Sequence, residues 1–313
     1  MPAMIAKKLI GMVLVILAVT FLTFAAMNTL GDPLVNILGP QYESTQEPEL
    51  IAQVKADYNI DDPLPVRWAK WLGDAVQGDF GRSFSTQQSI SKILADKLPV
   101  TIKIMVFAQV IAVMIAIPWA VIAASRANKP FDNISTGVSF GLLALPNFAL
   151  AVILLWLFVK KLGWFPSRYD PSSFGSEVWS LFLPSLTLGL GLAAAYQRLL
   201  RTDLITTFQD DFILMAKSKG VPRRRLLYVH ALRPSLLSLI TVLGINTAGL
   251  IGGTIVLETV FSIPGMGREI VEAIIRDDFL VVLSMVAIIA SGFVVINVAV
   301  DLIYSWLDPR IRE

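Results

Sequence analysis

The chain has 313 residues, of which 55% are hydrophobic and 16% charged, with a formal net charge of +2 and a mean hydropathy of +0.67. Soluble domains are about a quarter charged, so this balance excludes an ordinary water-soluble enzyme or nucleic-acid binder and points to an integral membrane protein. The absence of cysteine excludes disulfides and thiolate metal sites.

Six stretches carry no charged residue: Leu9–Leu30, Ile104–Ser125, Ile134–Val159, Val178–Gln197, Ser235–Leu257 and Phe279–Val300. Each is long enough for one helical crossing, which takes about 20 residues. Lipid offers no partner to a free backbone group, so each run is predicted to be a helix. Leu9–Leu30 follows Lys7-Lys8 as the apolar part of a secretory leader would. It is longer than such a part and ends without a small-residue cleavage site, so it is read as a retained first helix.

Gly31–Leu98 is too long for a plain connection and is predicted to have structure of its own. Glu49–Tyr58 has helical spacing, and Pro63-Leu-Pro breaks the chain after it. Val66–Val76 then places Trp68, Trp71, Leu72 and Ala75 at i, i+3, i+4 and i+7. That stripe suits either the membrane surface or neighbouring helices. Gly78 and Gly81 read as a tight turn with Asp79 as a local acceptor. Further on, Pro118, Pro146-Asn147 and Pro184 are expected to bend their helices around a path.

With the N terminus inside, the inner pieces are 1–8, 126–133, 198–234 and 301–313. They hold Lys and Arg at about twice the density of the outer pieces, which supports an N-in, C-in arrangement. The segment 198–234 concentrates eight of the 26 Lys and Arg residues, against three acids. Within it, Phe212, Met215, Ala216 and Lys219 are predicted to share one helical face, with Gly220 as the stop. Asp211 opens that unit, and Pro222 suits the first turn of a next helix running from Arg223 towards Pro234. Such an element fits a docking partner or anionic headgroups equally well.

The fifth apolar run is rich in small residues. Gly249 and Gly253 are four apart, as are Gly244, Ala248 and Gly252, which allows close packing. Asn246, Thr247 and Thr254 add polar groups that lipid disfavours. With Asn147, the residues Asn246, Gly249, Gly253 and Thr254 are the candidates for lining a pathway. Pro264-Gly265-Met266-Gly267 is expected to form a φ-permissive turn before a short helix over Arg268–Ile275. Lys103, Glu258 and Asp301 fall at predicted helix ends, and His230 reads as an interfacial residue. No phosphate-binding glycine loop, metal-ligand cluster or catalytic constellation is visible. Energy must therefore come from a partner or a gradient.

Several motifs resemble one family. Asp211 to Gly220 followed by Tyr228-Val-His-Ala-Leu-Arg-Pro234 is similar to the coupling loop of ABC importer permeases, with Leu214 standing where the loop's usual acid would be. Asn28-Thr-Leu-Gly-Asp-Pro33, Asp62-Pro-Leu-Pro-Val-Arg-Trp68, Gly78-Asp-Phe-Gly-Arg-Ser83, Val260-Phe-Ser-Ile-Pro-Gly-Met-Gly267 and Leu307-Asp-Pro-Arg-Ile-Arg312 resemble the first membrane subunit of dipeptide and oligopeptide importers, in order along nearly the whole chain. The resemblance implies an all-α membrane protein of the bacterial inner membrane, a type I ABC importer permease fold with six transmembrane helices. It implies a first helix over 1–30, an extracytoplasmic domain over 31–98 and a five-helix core over 99–313. It implies a second permease, two ATPase subunits that bind ATP and Mg, an extracytoplasmic substrate-binding protein, and peptide cargo crossing among membrane lipids. No cofactor and no nucleic acid is expected on this chain. By the same resemblance, Asp211, Phe212, Met215, Ala216, Lys219 and Gly220 couple to an ATPase through the 210–220 helix. Pro264, Gly265, Met266 and Gly267 then help close the outer mouth near the binding protein. The alternatives are the same fold carrying nickel chelates or glutathione, a self-contained secondary transporter or channel, and a receptor-like scaffold.

Overall fold

Apolar runs that must pair their own backbone groups become helices, and helices make up most of the described residues. The computed structural model describes residues 2–30, 34, 49, 52, 55 and 60–307, with side chains over 10–29, 34, 49, 52, 55 and 60–300. The expected helix over Glu49–Tyr58, the Gly-Asp-Pro at 31–33, the tail motif beyond Leu307 and the Asp301 side chain lie largely or wholly outside the described residues.

Helix α1 spans Pro2–Leu30, α2 Leu64–Val76, α3 Ile90–Ser125 and α4 Pro130–Ala144. Helix α5 spans Asn147–Leu154 and runs on as a wide π-helical segment, Leu155–Lys161. Helix α6 spans Phe174–Thr207 and α7 Asp211–Ser218. A turn at Arg223–Arg225 and a π segment at Leu226–Ala231 lead into α8, Leu232–Val260. Helix α9 spans Met266–Ile275 and α10 Phe279–Leu307.

Among the described residues, five helical stretches are long and apolar enough to cross a bilayer: those within α1, α3, α6, Arg223–Val260 and α10. The third predicted crossing, Ile134–Val159, is not one rod. Helices α4 and α5 meet at a bend of 102°, and the count reaches six only if that pair is one span. Pro146 is the cause: it has no N–H to give the preceding turn, and it holds Leu145 extended at ψ 122. Pro146 then caps α5.

Two boundaries also move. Helix α3 begins at Ile90, well before Ile104, so Lys103 lies inside a helix and not at its end; its ammonium meets Glu177 of α6 at 2.6 Å. Outside the spans, the Tyr169 phenol that shares this carboxylate is pushed up, first by burial and then by its hydrogen bond to Glu177. The helix expected to stop near Pro234 continues into α8, and Pro222 stands at its N-cap, before the first turn. A proline ring clashes with the carbonyl four residues back, here His230. The widened turn over Leu226–Ala231 absorbs that misfit.

Packing groups the described residues into one unit within 1–100 with 265–295 and another within 101–264 with 296–307. In the first unit, the stripe of α2 packs on helices. Trp71 joins Phe24 of α1 and Leu283 and Ala287 of α10 in one core cluster, with Trp68, Leu72 and Ala75 against it. Trp68 also meets the Phe21 ring edge-on at 5.3 Å. A second cluster gathers Ile90, Ile93 and Leu94 with Met266, Ile270 and Met285. Gly78 and Gly81 take the left-handed φ values of 89 and 83, and Asp79 Oδ1 accepts from the Gly81 amide at 2.9 Å. The carboxylate of Asp278, fully buried before α10, accepts from the Ser83 hydroxyl, from the amides of Phe84 and Ser85, and from the Ser85 hydroxyl at 2.8 Å.

The second unit is built around α6. At Gly189, α6 passes α3 so closely that a Cβ would stand 3.0 Å from the Ala108 carbonyl oxygen and 3.1 Å from Ile111 Cγ2. Backbone cannot swing aside as a side-chain tip can. Gly189→Val is therefore expected to lower stability by about 1–3 kcal/mol. Thermal unfolding of the detergent-solubilised protein reads this directly, with Gly137→Ala, which has nothing within 4 Å, as the comparison.

Candidate functional site

The basic segment forms helix, glycine turn, helix. Asp211 sits in the first turn of α7 and Lys217 in the last, each matching the partial charge of that helix end. Gly220 takes φ +79, and the Val221 amide returns to the Ala216 carbonyl at 3.2 Å, closing the helix. Ile213, 2% exposed, anchors α7 in a cluster with Leu200 and Leu204 of α6 and Leu226, Leu227 and Ala231 before α8. Phe212, Leu214 and Met215 are exposed, Met215 by 58%. Asp211, Lys219 and Gly220 are exposed with them. Ala216 departs from the common face expected for it: it is half-buried and packs on the core beside Ile213. The outward apolar surface of α7 thus consists of Phe212, Leu214 and Met215.

Behind this segment runs a polar seam between α4 and α6 that the sequence did not reveal. Asp132, 1% exposed, takes a two-point ion pair from Arg201, with Nη2 to Oδ2 at 2.6 Å. One turn on, Ser135 accepts from Trp119 of α3 at 2.6 Å and from Gln197 at 3.2 Å. Ser139 donates to Gln197 Oε1 at 2.7 Å. Asp132, Ser135 and Ser139 are spaced i, i+3, i+7, and Gln197 and Arg201 i, i+4, so both sets fall on facing stripes. That pairing was the available signal, masked because Asp132 lies in a stretch that reads as a loop.

Helix α4 ends at the Leu145-Pro146 bend, and beside the bend lies a cavity of about 340 Å³. It is lined by Leu142, Leu143, Leu145, Asn147, Leu188, Gly191, Leu192, Ala195, Asn246, Gly249, Leu250 and Gly253, none of them charged. Four of the five pathway candidates, Asn147, Asn246, Gly249 and Gly253, are therefore brought together. Gly249 has open space where a Cβ would be, whereas a Cβ on Gly253 would come 3.0 Å from Leu188 Cδ2. Thr254 is the exception. It is buried, its hydroxyl donates to the Ile251 carbonyl at 2.8 Å, and it is not among the residues that line the cavity.

The 264–267 segment also differs from expectation. The left-handed residue is Ser262, at φ 54, while Gly265 is extended at φ -97, ψ -177 and caps α9, which already begins at Met266. Gly265, Met266 and Gly267 are buried and Pro264 half-buried. Met266 fills the core, so the four do not form an exposed contact; the exposed apolar side chains here are Ile274 and Ile275. Among the described residues, no group of three or more His, Asp or Glu is placed to hold a metal ion.

Two family models match the chain: a binding-protein-dependent transport system inner membrane component over residues 116–313, and the N-terminal part of such a component over 1–105. The oligopeptide transport system permease protein AppB of Bacillus subtilis is 32% identical over 319 residues, covering 100% of both chains. The glutathione transport system permease protein GsiC of Escherichia coli is 30% identical over 310 residues, covering 98% of each. Among solved structures, an amino acid ABC transporter superposes with a TM-score of 0.52 over 68% of this chain and 94% of that one, at 14% identity, a likeness of fold.

Proposed function

The chain belongs to the family of binding-protein-dependent transport system inner membrane components, and on that premise we propose that it is the first membrane subunit of an ATP-driven importer of di- and oligopeptides. It is a transport permease subunit of the bacterial inner membrane and not an enzyme. In the proposed arrangement it crosses the membrane six times, N-in and C-in, with 31–98 on the outside. A second permease completes the pathway, two ATPases bind ATP and Mg, and an extracytoplasmic binding protein delivers the peptide. The observation that carries this reading is the two-sided character of α7. Phe212 and Met215 face outward, while Ile213 shares a core with α6 and the start of α8.

A push on the outer face of α7 then acts on the helices that wall the Asn147–Asn246 cavity, through close packing and not through a flexible tether. Met215→Asp places a charge on the apolar docking face without touching the core. In proteoliposomes holding the whole importer, it is expected to lower ATP-dependent dipeptide uptake at least tenfold and to weaken ATPase retention during purification. Unchanged uptake and retention would exclude α7 as the coupling element. The relative GsiC supports glutathione, itself a tripeptide, as a second cargo reading. Competition of glutathione with labelled dipeptide separates the two.

A further inference from the structure

A second space, of about 570 Å³, forms a groove between α3, α8 and α10. Val110, Val113 and Met114 of α3, Ile240 of α8, and Ile296 and Val300 of α10 supply most of its apolar wall. Its polar side chains are paired. Gln109 Nε2 donates to Thr247 Oγ1 at 2.6 Å and to the Leu243 carbonyl at 3.1 Å, and Gln109 Oε1 accepts from the Tyr196 hydroxyl at 2.9 Å. The Thr247 hydroxyl donates to the Leu243 carbonyl at 2.8 Å, and the Thr241 hydroxyl to the Leu237 carbonyl at 3.2 Å. Every polar side-chain proton on this wall thus has an acceptor, and what an occupant meets is hydrocarbon. Such a wall favours an acyl chain and leaves a peptide without partners.

The groove continues a stripe on α8 that begins outside the apolar run. Arg233, Leu237, Ile240, Gly244 and Thr247 are spaced i, i+4, i+7, i+11 and i+14, one face of a helix. Leu237 and Ile240 are exposed along it. Arg233 is exposed and makes no ion pair among the described residues. It stands two residues before the charge-free run that starts at Ser235, the level at which hydrocarbon gives way to headgroups. A helical side chain leans towards the N terminus of its helix, so the guanidinium reaches away from the groove and towards that level. Ile240 to Thr247 rise about 10 Å, which gives the groove a cross-section of roughly 55 Å², below the ~80–110 Å² of a helix with its side chains. A slender chain fits where a helix of another subunit does not.

We propose that this groove seats an acyl chain of an anionic phospholipid, from the leaflet beside the basic segment, with Arg233 holding the phosphate. The guanidinium fork matches phosphate geometry, and a headgroup without a cation of its own leaves the phosphate charge to Arg233. Asn246, Gly249 and Gly253 line the other cavity from a different face of α8, so the seated chain backs the wall of the proposed pathway. The inference needs only the membrane placement of the chain and stands whatever the cargo.

The test places the whole importer in vesicles of equal parts phosphatidylglycerol and phosphatidylcholine, with one lipid or the other carrying a photoreactive diazirine at mid-chain. After irradiation, peptide mass spectrometry locates the label, and the exposed Leu22 of α1 normalises each preparation. Phosphatidylglycerol is expected to label the stretches 109–114, 240–247 and 296–300 about fivefold more than phosphatidylcholine, the worth of one basic residue at an anionic surface. Arg233→Gln is expected to bring that ratio to about one, with Leu22 labelled as before. Ala299→Phe, which fills the groove from an exposed position, is expected to remove groove labelling by both lipids. Equal labelling by the two lipids in the native importer, or a preference that survives Arg233→Gln, would overturn the role of Arg233. Undiminished labelling of Ala299→Phe would overturn the seat in the groove. A groove left bare while Leu22 is labelled would mean that the second permease or another protein covers it, and the proposal would fall.

Discussion

Arg201→Leu is expected to remove about 3–5 kcal/mol of stability, because it strands the Asp132 carboxylate without a partner in a site that is 1% exposed. Two bonds to Asp132 vanish at once, and the Asn128 amide that also caps this carboxylate at 2.9 Å cannot replace them. Fluorescence-detected size-exclusion after heating would show the midpoint falling by roughly ten degrees. Asp132→Leu combined with Arg201→Leu is expected to regain most of the loss, since a paired charge and an apolar pair of similar volume differ little when both are buried. A double variant as unstable as the single one would show that the pair supplies more than mutual neutralisation. Asp132 begins the helix whose other end meets the cavity at Leu142, Leu143 and Leu145.

Asp278→Ala is expected to release the loop around residues 83–89. The lost carboxylate takes with it the acceptor for two hydroxyls and two amides, and a buried donor left unpaired costs about 1–3 kcal/mol. Arg82, exposed at the edge of this loop, supplies a natural probe. Trypsin should cut after it at least ~10-fold faster in the variant, because cleavage needs local opening. Asp278→Asn keeps one acceptor oxygen and should fall between. Equal cleavage rates in all three proteins would mean that the loop is held by Gly81 and Ile90, whose carbonyl and amide pair at 3.0 Å, and not by Asp278.

The apolar runs and the α7 unit were legible in the sequence because their signals are local: absence of charge over a bilayer's thickness, helical spacing, and a glycine after the last turn. Pro146 marked a bend, but nothing local gave its size. The pathway candidates were found through polarity and smallness in an apolar setting, and four of them do line one cavity. Thr254 shows the limit of that argument, since its hydroxyl is satisfied by its own helix. The features that escaped depend on partners far along the chain. Arg201 and Asp132 are 69 residues apart, and Ser83 and Asp278 are 195 apart. The turn before α9 failed for another reason: the two glycines attracted the expectation of a left-handed residue, and Ser262 took that conformation instead. The π segment at Leu155–Lys161 leaves no pattern in composition, and that at Leu226–Ala231 is signalled only by Pro234 beyond it.

The 102° bend at Leu145-Pro146 has a consequence for solvent. Where α4 stops, the carbonyls of its last turn lose the amides that would have followed, and Pro146 has none to give. In hydrocarbon such oxygens would each cost several kcal/mol. In a membrane, the stretch that supplies Leu142, Leu143 and Leu145 to the cavity therefore needs protein groups or water against those oxygens, and a cavity of about 340 Å³ has room for several water molecules. Were the cavity part of the proposed pathway, the same water would carry ions through whenever both ends stood open together, and the bend would then oblige the protein to keep one end shut.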